Sequence, residues 1–217
     1  MSANDFKVRA MWPDQLADVA DRWRKLDKST YERKWFDTTV FLTEIVLPQL
    51  ASKGRSIQVE LVEDNASEQA WVDFERGKVF FRKEIWEAAR QQQPRARLIV
   101  AHEIGHLALH DDQPLSFTKA YDYGLAAIEK SESAEYQANW FAWALLLPDI
   151  LLLKMMKTLT VSSIATLALV EERLVECRID LVSRDHRYRS FSGDECSQCG
   201  SMRLLWKGNS TVCLDCP

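Results

Sequence analysis

The sequence predicts an α+β fold, mainly helical with one small sheet, and a separate small module at the C-terminal end. Three observations carry this. Apolar residues recur at helical spacing through most of the chain. The period changes to two over Ser56–Val62, ahead of a hairpin pattern, and two CxxC pairs stand in the last residues.

Taken in order, Leu16, Val19, Ala20, Trp23 and Leu26 form one helical stripe, opened by Asp14 after Pro13. A second helix is expected from about Thr30 towards Leu50, with Pro48 near its end and Gly54 beyond it. Ser56–Val62 then alternates through Ile57, Val59 and Leu61, as a strand does. Trp71–Phe74 and Lys78–Phe81 flank Glu75-Arg76-Gly77, the pattern of a hairpin. A short helix over Lys83–Gln92 leads to a longer one opened by Pro94 and closed near Asp111–Pro114. Residues 111–130 are expected to form the rim of the cleft and hold Tyr121, Tyr123 and Gly124. From Glu135 the chain reads EYQANWFAWALLL, an apolar helix that must pack inside the fold. After Pro148, Leu151–Met156 and Val161–Val182 are expected to be helical, with Cys177 packed as a small hydrophobe.

The domain reading is 1–183 as one body with its motif core at about 30–150, 184–195 as a polar linker, and 196–217 as the small module. In that module Cys196-x2-Cys199 and Cys213-x2-Cys216 each form a tight knuckle that offers two thiolates to one ion, and residues between them suit a hairpin. This is zinc-ribbon spacing. So small a unit lacks a core of its own, so bound zinc supplies its folding energy. Disulfides are the competing reading. Basic and acidic residues nearly balance from Arg184 to Pro217, which is no electrostatic footprint for DNA. Protein docking is the preferred role for the ribbon and DNA contact the alternative.

Composition narrows the class. With 217 residues, 47% hydrophobic and 28% charged, the chain can bury one substantial core and a small appendage. A net charge of −4 gives no general attraction to nucleic acid. Met1–Lys7 has no signal-peptide character, and the apolar stretch Trp140–Leu153 is shorter than a membrane span and interrupted by Pro148-Asp149. The expectation is a cytoplasmic protein without a membrane partner.

Residues 102–106 read His-Glu-Ile-Gly-His. On a helix, positions i and i+4 share a face, so His102 and His106 can turn ring nitrogens toward one ion while Glu103 stands to the flank. Glu135 then completes a set of three protein ligands and leaves a fourth position open. The competing reading is a core helix with two hydrogen-bonded histidines. Leu98–Ala101 and Leu107–Leu109 bury this helix, which makes two imidazoles and a carboxylate costly there without a metal or other partners. Glu129 and Glu132 compete with Glu135 as the third ligand. His110 lies about 12 Å along the helix axis from His102, too far to share its ion, and is assigned beside the site rather than on the metal. Asn139, one turn after Glu135, can accept a hydrogen bond from the non-metal nitrogen of a ligand histidine; bonding to backbone is its alternative. Tyr121, Tyr123, His110 and His186 are candidates to stabilise a developing oxyanion.

HEIGHLALH and SAEYQANWFAWALLLP together resemble the ImmA/IrrE-type metallopeptidases, whose pattern is HE-x-GH-x-x-LH followed by E-x-x-AN-x-FA-x-x-LL-x-P. The agreement falls on His102, Glu103, Gly105, His106, Leu109, His110, Glu135, Ala138, Asn139, Phe141, Ala142, Leu145, Leu146 and Pro148; Leu147 departs where the family often has Met. The similarity covers about residues 30–150. It implies a zincin-like, gluzincin-type domain in an intracellular peptidase that cuts a helix-turn-helix repressor or antitoxin encoded nearby. The expected protein is therefore a zinc-dependent endopeptidase with one catalytic zinc on His102, His106 and Glu135, Glu103 as the base, and one structural zinc on the four cysteines. Two other classes stay open: a non-catalytic zinc-binding regulator that works by contact, and a zinc hydrolase acting on something other than protein.

Overall fold

A computed structural model of the chain describes residues 5–28, 35–111, 129–184, 196–198, 204–207, 210–213 and 216. The fold is α+β and mainly helical, and the chain divides into two compact units, Met1–Leu146 and Leu147–Pro217. Tyr121, Tyr123, His186, Cys199 and the expected linker beyond Arg184 lie outside the described residues.

In the first unit, helix α1 (Pro13–Arg24) starts with proline at its first position, where the missing N–H costs nothing. It buries Leu16, Ala20 and Trp23, while Leu26 falls past its end and is exposed. The helix expected from Thr30 towards Leu50 is corrected in part: Thr30 lies outside the described residues, residues 35–37 are not helical, and helix α2 begins at Thr38. Asp37 fixes that start, because its Oδ1 accepts from the N–H groups of Thr39 and Val40 at 2.9 and 3.1 Å. Helix α2 runs through Thr38–Val40, a π-helical stretch Phe41–Val46, and Leu47–Ser52.

Strands β1 (Gln58–Val62), β2 (Ala70–Asp73) and β3 (Lys78–Arg82) form a sheet in the order β1-β3-β2. Strands β2 and β3 are the expected hairpin, antiparallel, with Trp71 opposite Phe80 and their rings stacked at 4.6 Å. Strand β1 instead pairs parallel to β3, from Gln58↔Lys78 to Val62↔Arg82. The central strand is flanked on both sides, and Val79, Phe80 and Phe81 are buried in succession.

Helices α3 (Lys83–Arg90), α4 (Pro94–His110) and α5 (Ala134–Leu146) complete this unit. Helix α5 packs against both α1 and α4. Two buried arginines join these elements to neighbouring backbone. Arg24 Nη1 donates to Leu145 O at 2.7 Å, placing a cation on a carbonyl in the last turn of α5. Arg97 Nη2 donates to Phe36 O at 2.9 Å; burial lowers this guanidinium to about 10 against the pull of Asp37, so it stays charged at neutral pH.

The second unit holds helices α6 (Asp149–Met156), α7 (Val161–Ala168) and α8 (Glu172–Arg184), then a hairpin of β4 (Leu204–Lys207) and β5 (Ser210–Cys213). The single helix expected over Val161–Val182 is corrected to two. Leu169 takes a left-handed conformation (φ 53°), and the Val170 N–H reaches back to Ala165 O at 3.0 Å, which closes α7. Asp149 at the start of α6 is ion-paired with Arg178 of α8, both buried. Among the described residues no single helix is long and apolar enough to cross a membrane.

Candidate metal centre

Helices α4 and α5 approach closely at Gly105. A Cβ there would lie 2.9 Å from Ala138 O and 3.0 Å from Ala138 Cα. Hydrogen on one side and a methyl group on the other let the two backbones nearly touch. His102 and His106 stand on the same face of α4, and Glu135 lies one turn before Ala138 on α5. The close crossing therefore carries the carboxylate to the two rings.

The resulting geometry is compact. His102 Nε2 and His106 Nε2 are 3.0 Å apart. Glu135 Oε2 lies 3.5 Å from the first and its Oε1 3.4 Å from the second. The three donor groups lie within 4.8 Å of one another. Four-coordinate zinc, with Zn–N near 2.05 Å, sets neighbouring ligand nitrogens about 3.3 Å apart, close to the separation found. The chemistry of the donors fits as well. Asn139 Oδ1 is 3.1 Å from His102 Nδ1, and accepting that ring's N–H leaves the Nε2 lone pair facing His106 and the carboxylate. Lone pairs and a carboxylate gathered at this distance repel one another unless a cation lies among them.

The electrostatics follow from that grouping. Burial alone pushes His102 towards the neutral form, yet the Glu135 hydrogen bond and the charge of Glu103 outweigh it and raise its pKa. Burial likewise opposes ionisation of Glu135, but hydrogen bonds from His102 and His106 hold its carboxyl well below the usual range. A proton and a metal thus compete for the same nitrogen. Glu103 is buried, and its Oε2 has no hydrogen-bond partner among the described residues. Burial lifts its carboxyl above the ordinary range, against the lowering influence of His102 and His106.

His110 continues the same helix and does not join the three donors. Its Nδ1 faces His106 Nδ1 at 3.2 Å, and its Nε2 faces Gln137 Oε1 at 3.1 Å. Burial, with His106 beside it, lowers His110 to about 3, which keeps the imidazole neutral. Gln137 is fully buried, and its Nε2 donates to Arg9 O and Ser131 O at 2.7 Å each. Nothing in the HExxH pattern points to Gln137. The available signal was a lone amide in an apolar helix, which demands hydrogen-bond partners wherever it is buried.

The segment from Asp5 to Met11 lies along residues 131–134, joined by an antiparallel bridge between Lys7 and Ser133 and by bonds from Val8 N to Glu132 O and Met11 N to Ser131 O at 2.8 Å. Asp5 caps α5 from outside its own sequence neighbourhood. Its Oδ1 accepts from Glu135 N at 3.1 Å, its Oδ2 accepts from Ser133 Oγ at 2.6 Å, and Ser133 Oγ accepts from Tyr136 N at 3.0 Å.

In the second unit Cys196, Cys213 and Cys216 bring their sulfurs within 4.8 Å of one another, with Cys196 and Cys216 at 3.5 Å, well beyond a disulfide bond. These residues also form a group able to hold a metal ion. The hairpin of β4 and β5 carries Cys213 at its end.

A helical domain with a small sheet and a histidine–carboxylate cluster between two helices is an arrangement able to hold a metal ion. Residues 54–170, more than half of the chain, match the model of the Peptidase M78 family, the IrrE N-terminal-like domain, and the chain belongs to that family. No curated protein and no solved structure matches it.

Proposed function

We propose that the protein is a zinc-dependent endopeptidase, with zinc on His102, His106 and Glu135 and with Glu103 as general base. One observation carries this reading: two ring nitrogens and a carboxylate converge beside a buried Glu103 whose Oε2 has no hydrogen-bond partner among the described residues. When bound there, zinc supplies Lewis-acid polarisation of the scissile carbonyl. Glu103 takes a proton from the attacking water at Oε2 as the water oxygen bonds to the carbonyl carbon. The same carboxyl then gives that proton to the amide nitrogen as the C–N bond breaks. Desolvation strengthens Glu103 as a base, because a buried carboxylate gains more by accepting a proton than one in water.

The preferred substrate is a helix-turn-helix repressor or antitoxin in the cytoplasm, a class supported by the resemblance to ImmA/IrrE-type peptidases. Strand β2, at one side of the sheet order and packed beside α4, suits an extended peptide added as a further strand. The C-terminal cysteines, with Cys199 as the fourth, are proposed to hold a second, structural zinc in a module that docks protein partners.

Zinc per chain, measured on wild type and His106→Ala, tests the assignment together with cleavage of a candidate repressor. Two zincs falling to one, with cleavage lost, supports it. Glu103→Gln should keep both zincs and cut about a hundred- to ten-thousandfold more slowly. Full biological activity of that variant would sink the enzymatic reading in favour of a regulator that acts by contact.

A further inference from the structure

The N-terminal segment makes two independent connections to the ligand cluster, one to each helix that supplies it. It lies outside residues 54–170, the part matched by the family model.

The first connection runs through Gln137. Its amide orientation is fixed, because Nε2 stands 2.7 Å from two carbonyl oxygens, Arg9 O and Ser131 O. Reversing the amide would set three oxygens together. Gln137 Oε1 therefore faces His110 and can only accept, so His110 Nε2 carries the hydrogen across the 3.1 Å contact. The buried His110, with its single ring hydrogen on Nε2, then presents a bare Nδ1 to His106. The 3.2 Å contact between the two Nδ1 atoms requires a hydrogen on His106 Nδ1. With that nitrogen occupied, the remaining His106 nitrogen, Nε2, turns its lone pair toward His102 Nε2 and Glu135. The direction of every bond follows from two backbone carbonyls.

The second connection is Asp5, whose Oδ1 accepts from the backbone N–H of Glu135 itself. It fixes the first turn of α5 at the residue that provides the carboxylate.

We propose that the Asp5–Met11 segment is a working part of the metal centre, with Gln137 as a positioning residue that carries the polarity of the Arg9 and Ser131 carbonyls through His110 to His106. This rests on the zinc assignment above. The ligand histidines are thus held in one tautomer by different devices: His102 by the exposed Asn139, His106 by a buried chain that begins outside the matched domain.

The test uses the full chain loaded with zinc. Affinity at the motif site is measured by chelator competition in wild type, Gln137→Leu, Asp5→Ala and Leu16→Ala, the last a core truncation in α1 away from the hydrogen-bond chain. Long-range nitrogen–proton NMR of the histidine rings reports the tautomers. Gln137→Leu should weaken zinc binding about ten- to a hundredfold, the usual effect of removing a partner of a ligand histidine. Asp5→Ala should weaken it as well, and wild-type His110 should carry its proton on Nε2. Unchanged affinity in Gln137→Leu, equal weakening in Leu16→Ala at matched stability, or a proton on His110 Nδ1 would each overturn the proposal while leaving the zinc assignment intact. Absence of any zinc that His106→Ala removes would instead refute the zinc assignment, and the His110 spectrum would still decide the direction of the chain.

Discussion

At Gly105 the space a side chain would fill is already taken by α5. Alanine is favoured over glycine inside a helix by about 1 kcal/mol. The overlap with Ala138 O and Cα costs about 1–3 kcal/mol in a packed interior, so Gly105→Ala should be a net loss. Urea denaturation should show a lower midpoint with an unchanged slope, and separating the two helices should also loosen the zinc site. The two histidine supports should differ in sensitivity. Asn139 is exposed, so water can replace its Oδ1 in Asn139→Ala, and zinc affinity should fall by less than about tenfold. No such replacement is open to the buried Gln137. A larger loss for Asn139→Ala than for Gln137→Leu in the same titration would contradict this ranking.

At the scale of elements, the ends of helices decide most. Arg24 gives a buried cation to Leu145 O near the end of α5, and Arg24→Met leaves that carbonyl without this donor. A loss of about 1–3 kcal/mol is expected from chemical denaturation. Leu169 carries the opposite prediction: glycine adopts its left-handed conformation without the Cβ penalty, so Leu169→Gly should raise stability in chemical denaturation by about 1 kcal/mol. These features also explain what could be read in advance. The four-residue spacing of His102 and His106 dictates a shared helix face, and Glu75-Arg76-Gly77 between two apolar runs marks the β2–β3 hairpin. The start of α2 was misread because apolar spacing continues upstream of Asp37, whereas the cap depends on one side-chain conformation. The break at Leu169 was hidden because leucine carries no mark of a left-handed turn. The parallel pairing of β1 with β3 is a contact across an intervening strand, which no local pattern encodes. Gln137 was missed because the carbonyls that orient it include one from Arg9, far away in sequence.

For the molecule as a whole, two donor clusters in two units predict two separable metals. Cys196→Ser should remove one zinc and leave the other on His102, His106 and Glu135, read by zinc content and by retained peptidase activity. Loss of both metals from that single change would mean that the clusters are not independent. Metal should also stabilise each unit, since an ion at a hundred times its dissociation constant adds about 2.7 kcal/mol to the folded state. Chelation should therefore lower the unfolding midpoint, and added zinc should restore it.

The clamp of Asp5 on Ser133 and Glu135 has a consequence in time. The contacts of Asp5 and Arg9 span up to 130 residues of chain, so this segment finds its partners only after most of the first unit has been made. Long-range pairings of this kind form late, because loop closure must precede the contact that rewards it. The β2–β3 hairpin can form early from neighbouring residues; the clamp on the first turn of α5 cannot close until Asp5 returns to it. During synthesis the clamp is thus held open by topology alone, and a nascent chain halted before Ser133 should fold its hairpin before Asp5 can meet Ser133 and Glu135.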